Sequence, residues 1–452
     1  MITSIARRYP SFRDEPIKSV YRWLEGKRLD DGADGFWRIH DTLYDLSEFI
    51  DRHPGGPDWL RLTKGTDITE AFETHHIRMR AEDLLPKFKV GPAKGPRNVR
   101  LTFREDGFYL TLKRRVREEL PKLDLKPTEL SRLIIDSLLV VVFALAFASV
   151  HFSSYLVATI CGLFISWVVI SAHNFVHQRD NWRMKLLNLT FFCYREWRVT
   201  HILSHHFYSN SILDLEVSAF EPILCWLPNP AIKGRLQRFG SWIYGPLIFS
   251  AMFMLDYFKR IIETLATSKS NFYADDLVPF ILPCFMMLVK PPTATIGDIM
   301  SLYFCVALTG SFFFGFIALN ASHHQPECFH SGDQLPEDID FGIFQLATII
   351  DRVDVKQNHF TSLTGFGHHC LHHMFPTLDH GILPQLYPIF LKTCQDFGTL
   401  YRESSWMRLI IGQHLQLARI STHNTIPSDV TISTTSLFPA DRTSRNPSNS
   451  AH

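Results

Sequence analysis

Apolar and polar positions fall in blocks along this chain. Residues 1–130 are polar and mixed in charge, and the start, MITSIARRYPSFRDEP, has no apolar core long enough for a signal peptide, so this part is expected to stay in the cytosol. Two apolar runs follow, 133–150 and 154–172, joined by a very short turn, and they predict a helical hairpin that crosses a membrane and returns. Residues 241–262 mix apolar and aromatic side chains with Asp256, Lys259 and Arg260, a pattern suited to a helix lying in the membrane interface. A second pair of runs, 272–289 and 299–319, is separated by KPPTATIGD, whose two prolines break any continuous helix. Four spans would bring the chain back to the side from which it started. From residue 421 the sequence is rich in Ser, Thr, Asn and Pro, which predicts a disordered tail.

Composition supports this division. The chain has 452 residues, 46% of them apolar and 37 of them Phe, and its charges nearly cancel at +1, so it carries no electrostatic footprint of a nucleic-acid binder. The eight cysteines (161, 193, 225, 284, 305, 328, 370, 394) form no CxxC pair, and several lie inside apolar runs, as expected of small hydrophobes in a reduced, cytosol-facing protein.

Histidines mark the chemistry. HNFVH (His173, His177) ends the first hairpin, HILSHH (His201, His205, His206) follows within thirty residues, and HCLHH (His369, His372, His373) comes after the later apolar runs. On an α-helix, residues four apart share a face, so His173 with His177, and His201 with His205, are expected to form two-nitrogen claws. One such pair is more often packed or solvated than metallated. Three clusters delivered to one membrane surface are different, because uncompensated imidazoles there would be costly. Imidazole suits iron, copper or zinc; eight ligands exceed the needs of one metal and fit two with open positions, two irons meeting dioxygen being the natural assignment.

A separate histidine pair lies in the polar segment. The stretch WRIHDTLYDLSEFIDRHPGG, then GTDITEAFETHHI, resembles the cytochrome b5 haem domain over about residues 36–92: a framework of Trp37, Tyr44, Asp45 and Phe49, the HPGG turn, and a second histidine. His53 and His76 stand 23 residues apart, enough for two short helical units facing each other across a haem, and Gly55 and Gly56 permit the tight turn. Two protein ligands leave the haem iron no position for dioxygen, so the task of this group is to carry electrons. His75 neighbours His76; alignment of GTDITEAF with the family pattern selects His76. From Asp30 to Glu73 eleven acidic residues stand against four basic ones, a local charge of −7, which predicts docking of an electron donor with a basic face. Residues 96–132 turn positive, with KRRVR at 113–117 expected to lie against anionic head groups.

The three boxes in order, over about residues 100–400, resemble the membrane fatty acid desaturases. Trp197, Ser209, Asn210, Asp214, Glu216 and the MFP after box three stand where family members carry similar residues. With the amino-terminal haem domain, the resemblance extends to fused front-end desaturases and insect cytochrome b5-related proteins. It implies an α+β cytochrome b5-like domain followed by an all-α polytopic membrane domain of about four transmembrane helices. The expected divisions are a polar tail 1–35, a haem domain 36–95, a basic linker 96–132, a desaturase-like domain 133–420 and the tail 421–452. The resemblance also implies haem b on His53 and His76, and two non-haem irons on His173, His177, His201, His205, His206, His369, His372 and His373. Acyl-CoA desaturases add an Asn and a His four residues on, matched here by Asn320 and His324, with His323 as rival. Fused front-end desaturases usually begin box three with Gln where this chain has His369, so their regiochemistry does not carry over. A soluble di-iron core would need paired Glu-x-x-His motifs on bundle helices; Glu73 with His76 belongs to the haem pattern, and Glu327 with His330 follows Pro326 in a predicted loop.

The implied function is a fatty acyl desaturase of the endoplasmic reticulum membrane, with haem domain and boxes facing the cytosol. Electrons would come from a separate NADH-dependent cytochrome b5 reductase, since the chain has no Rossmann glycine pattern. An acyl or sphingolipid hydroxylase is the first alternative, because the same oxidant could insert oxygen. A haem-bearing electron-transfer protein with a non-catalytic membrane domain is the second.

Overall fold

The structure is a computed structural model, and it describes residues 4–15, 18–267, 273–319 and 322–424. Asn320 and residues 425–452, most of the expected tail, lie outside the described residues.

The first unit is an antiparallel sheet of Trp37–Ile39, Thr42–Tyr44 and Lys89–Pro92, in that order, with short helices Pro57–Thr63 and Thr69–His75. Its small core is Trp37, Ile39, Leu46, Leu60, Ile68 and Phe72. Trp37 is fully buried, and its indole N–H donates to the Leu60 carbonyl at 3.1 Å, which satisfies the one polar atom that its burial brings along.

The stretch ahead of it is not a loose tail. Residues Val20–Asp30 form a helix whose Ser19 hydroxyl accepts from the Arg22 N–H, and Val20, Trp23 and Leu24 are buried at helical spacing. The Trp23 indole donates to the Leu213 carbonyl at 2.8 Å, 190 residues away. The polar look of this segment misled because Lys27 and Asp31 are buried as an ion pair at 2.9 Å.

The basic linker also departs from expectation. Phe108–Glu119 is a helix that buries Phe108, Tyr109, Leu112, Lys113 and Val116, and its cations find carboxylates of this chain. Lys113 meets Glu73 at 2.6 Å, Arg114 meets Glu105 at 3.1 Å, Arg115 meets Asp396 at 2.8 Å and Arg117 meets Glu82 at 2.9 Å. Burial alone would raise the Glu73 carboxyl, but the His40 hydrogen bond and the Lys113 ammonium hold it down at about 2. Because this folded value lies below the ordinary 4.5, the pair stabilises fully above about pH 4.5 and fades as pH falls towards 2. Lys113→Met is expected to cost on the order of 3 kcal/mol at neutral pH. The gap from wild type in thermal unfolding should narrow between pH 4.5 and 3; a gap of equal size at both ends would contradict the pairing.

Three helices among the described residues are long and apolar enough to cross a membrane: Lys126–His151, Tyr155–Val176 and Ile296–Ala318. The first two form the predicted hairpin, turned at Ser153 in a left-handed conformation and restarted by Ser154, whose hydroxyl accepts from Val157 N–H. The third crosses the second at Gly162 and Gly310. A Cβ on Gly162 would sit 2.8 Å from the Val306 carbonyl and 2.9 Å from the Gly310 nitrogen, so only glycine allows this approach. Of the four expected, three are found among the described residues. The segment predicted as a third span contains Pro279 and Pro283 and folds as a 3-10 stretch, Ala274–Phe280, that runs directly into an eight-residue helix, Ile281–Leu288. Ser241–Thr267 is one 27-residue helix that presents Ile243, Leu247, Leu255, Phe258, Ile262 and Leu265 outward, while Arg260 is buried against Glu196 at 3.2 Å and against Asp276.

Candidate functional site

Box one is the last turn of the second membrane helix, and it delivers His173 and His177 fully buried. Box two lies on a π-helix, Arg198–His205, in which the backbone bond runs to the fifth residue. This changes the pairing. His201 and His206, five apart, bring their Nε2 atoms to 3.1 Å and join His173 and His177, while His205 turns to a second group. The α-helical claw expected of His201 and His205 is therefore split between two sites. Box three is the short helix His369–Met374, whose Cys370 N–H donates to the buried Asp351 carboxylate at 2.9 Å.

Two groups of four imidazoles result: His173, His177, His201 and His206, and beside them His205, His323, His369 and His373. His372 reaches the first, with its Nε2 3.2 Å from that of His173. The Nε2 of His173 also lies 3.0 Å from His177 Nε2 and 2.8 Å from His201 Nε2. A neutral ring nitrogen has one proton or one lone pair, so three such contacts cannot all be hydrogen bonds. Nitrogens about 3 Å apart are, however, what bonds of about 2.1 Å to one metal produce at right angles. In the second group, His323 and His369 bring their Nε2 atoms to 2.8 Å. The donor set fits two metal ions.

Neighbouring groups set ring orientation. Glu216 meets His201 Nδ1 at 2.7 Å and Asp214 meets His205 Nδ1 at 2.9 Å, leaving Nε2 to face inward. Gln345 meets His373 Nδ1 at 3.1 Å, and His373 Nε2 is buried with no protein partner. Burial keeps His206 and His372 well below the ordinary imidazole range, as neutral lone-pair donors. His205 goes the other way: burial lowers it, but Glu216 and Asp214 more than reverse this and raise it to about 9. The same carboxylates would offset the charge of a cation.

His324 does not enter either group. Its ring stacks on Trp226 at 4.0 Å, whereas its neighbour His323 packs against His205 at 4.3 Å and is positioned through Asn210, whose amide donates to the His323 carbonyl at 2.9 Å. His380, which the sequence did not single out, forms a further three-histidine group with His173 and His372. Its Nδ1 lies 3.0 Å from Asn174 Oδ1, and Asn174 donates to Asp379 at 2.8 Å. It stands in no repeat spacing; its only signal is an Asp-His pair just past box three.

In the first unit, His53 and His76 face each other with ring centroids 6.2 Å apart. Metal–imidazole bonds of about 2 Å on opposite sides of one iron require a separation of about 6 Å. His53 Nδ1 donates to the Gly56 carbonyl at 2.9 Å and His76 Nδ1 to the Phe72 carbonyl at 3.1 Å, which leaves both Nε2 atoms for a metal. His75 instead has its Nδ1 3.0 Å from the Thr74 hydroxyl and packs between Trp59 and Phe207. A cavity of about 740 Å³ holds His53 and His76 in its wall, among Leu46, Phe49, Leu60 and Phe72. This donor set and apolar crevice fit a haem. His53→Ala is expected to abolish a low-spin bis-histidine spectrum in the purified full chain, and His75→Ala to retain it; loss of the spectrum with His75 alone would reverse the ligand assignment.

The two units are docked. Asp58 meets Arg195 at 2.8 Å, the Arg198 guanidinium sits 4.6 Å over the Trp59 ring, and the Tyr208 hydroxyl donates to Glu70 at 3.2 Å. The Tyr109 hydroxyl lies between the Glu73 carbonyl and the Met374 carbonyl, the latter at 2.9 Å, and so ties the haem unit to the end of box three. Much of the acidic surface expected to meet an outside donor is thus engaged within the chain: Asp31 with Lys27, Asp58 with Arg195, Asp67 and Glu70 with Arg97, and Glu73 with Lys113.

Comparison with known proteins finds both units in the sequence. The fatty acid desaturase family matches residues 150–405, and the cytochrome b5-like haem/steroid binding domain matches residues 23–94. A cytochrome b5-related protein of Drosophila melanogaster is 45% identical over 425 residues, covering 94% of this chain and 97% of that one. More distant relatives include an acyl-lipid (8-3)-desaturase of Mortierella alpina, 24% identical over 89% of this chain and 97% of its own, and a delta(5) fatty acid desaturase A of Dictyostelium discoideum, 23% identical over 84% and 89%. No solved structure matches the chain. Three histidine boxes converging on one buried site, preceded by a cytochrome b5-like domain, place this chain in the fatty acid desaturase family, as a member with a fused haem-domain homologue at its amino terminus.

Proposed function

We infer that the protein is a membrane fatty acyl desaturase that takes electrons through its own cytochrome b5-like domain. The observation that carries this reading is the pair of adjacent four-imidazole groups, buried in one membrane-associated chain together with a bis-histidine pocket. When bound, two irons supply a dioxygen-derived oxidant able to remove hydrogens from an unactivated acyl chain, and the haem supplies electrons singly.

The residues of the chain do the rest. His173, His177, His201, His206 and His372 would hold one metal, and His205, His323, His369 and His373 the other. Glu216 and Asp214 orient two of these rings and place negative charge beside the cations. His53 and His76 would hold the haem iron between them, and their Nδ1 hydrogen bonds to the Gly56 and Phe72 carbonyls would keep both Nε2 atoms turned to it. His177 belongs both to the first metal group and to the wall of the haem cavity, which brings the two centres within one residue of each other. The electron source in this reading is an NADH-dependent reductase, and the setting is the endoplasmic reticulum membrane with both centres on the cytosolic side; the helical hairpin that returns the chain at box one supports that placement.

Tethering raises the local donor concentration without being essential to the chemistry. In microsomes given NADH, dioxygen and acyl lipid, His53→Ala should therefore slow desaturation several-fold, on the order of what a tethered partner contributes. Added free cytochrome b5 should restore part of the rate. An unchanged rate in His53→Ala with no cytochrome b5 present would rule out the electron route.

A further inference from the structure

The haem cavity is not built by the cytochrome b5-like unit alone. Its wall includes His177, Arg179, Leu203 and Thr377 of the desaturase unit. Exposed arginines from both units line it: Arg52, whose guanidinium donates to the Glu48 carbonyl at 2.9 Å, Arg78 and Arg80 from the loop after His76, and Arg179 from the loop after box one. Arg179 is set apart from its neighbours. Gln178 donates to Asp379 at 3.3 Å and Asp180 pairs with Arg198, whereas the side chains of Arg78, Arg80 and Arg179 have no hydrogen bond or ion pair among the described residues. These three exposed, unpaired arginines add positive charge to the wall of a largely apolar crevice.

A haem b carries two carboxylates on one edge and an apolar body elsewhere. That distribution matches the cavity, which has largely apolar walls, two facing imidazoles and exposed arginines. Guanidinium groups bind carboxylates in a planar, two-point geometry that an ammonium cannot match. We propose that the carboxylate edge of the haem is clamped between the two units, with Arg179 of the desaturase unit pairing alongside Arg78 and Arg80 of the haem unit. The haem is then a shared ligand of both units, and its retention depends on their docking. This rests on the haem reading given above and adds a residue from outside the cytochrome b5-like domain to the haem site.

The test uses the full-length protein in detergent and follows transfer of haem to excess apomyoglobin. Arg179 is exposed, so its replacement should not disturb folding. Arg179→Ala should release haem on the order of threefold faster than wild type, the size expected of an exposed charge pair. Arg78→Ala should behave alike, and Arg179→Lys should fall between wild type and Arg179→Ala. Release from Arg179→Ala at the wild-type rate, with Arg78→Ala accelerated, would show that the haem unit holds the carboxylates alone and would overturn the clamp. Wild-type release with slower reduction by an added reductase would also overturn it, assigning these arginines to a protein donor instead. If wild type itself shows no bis-histidine spectrum, the haem reading falls first and the clamp with it; a normal spectrum with unchanged release sinks only the clamp.

Discussion

A His205→Ala variant is expected to make no desaturated product under any electron supply, while keeping its haem spectrum. His205 is the one box-two histidine that turns to the second group, where it packs on His323 at 4.3 Å and meets Asp214 through Nδ1. Removing it takes one nitrogen from a four-imidazole set and leaves the buried Asp214 carboxylate without the imidazole that it faces. An enzyme whose chemistry is done by a metal loses essentially all of it when that metal is lost or misplaced, in contrast with the partial, rescuable loss expected of His53→Ala. Added cytochrome b5 should make no difference. Activity of a few per cent or more in His205→Ala, or rescue by free cytochrome b5, would mean that this residue belongs to electron supply or to packing.

The second large effect concerns metal content. Purified wild type should contain about three irons per chain, one of them in haem, if each four-imidazole group holds one ion. His372 reaches the first group and His373 belongs to the second, so the double variant His372→Ala, His373→Ala weakens both at once. It should fall to about one iron per chain, all of it haem, because His53 and His76 share no ligand with the boxes. Single variants should separate the groups: His206→Ala is expected to disturb the group that contains His173, and His205→Ala the other. That division follows from the π-helix. Were box two α-helical, His201 and His205 would fall together, and His205→Ala would disturb the ion that His201 holds.

The boxes could be read from the chain because their chemistry is unusual and their spacing repeats, and the haem pair because a framework flanks it. What escaped depended on backbone detail or on distant partners. The π-helical turn that sends His205 and His206 to different groups has no spacing signature of its own, since HILSHH fits an α-helix equally well. His323 and His324 are adjacent, and the four-residue spacing from Asn320 favoured His324; only the placement of Asn210 and Trp226 shows which ring faces the cluster. His380 reaches the site after the box-three helix has ended, so no periodicity points to it. Charge was misjudged for a single reason. Lys27, Asp31, Glu73 and Lys113 looked like surface, yet each is neutralised by a partner that only the fold brings near. The same blindness made a docking helix look like a tail, and a packed helix look like a membrane-surface linker. The segment 272–289 departs from one continuous helix because Pro279 and Pro283 divide it into a 3-10 turn and a short helix.

The most direct test of the central claim is the product itself. Lipids from cells producing wild type and cells producing His205→Ala at equal levels can be compared by mass spectrometry across all acyl classes. A desaturase predicts at least one acyl species in the wild-type cells that is two hydrogens lighter than its precursor and absent from the variant cells. A product heavier by one oxygen would make the protein a hydroxylase, and identical lipids in the two cell lines would contradict an enzymatic role.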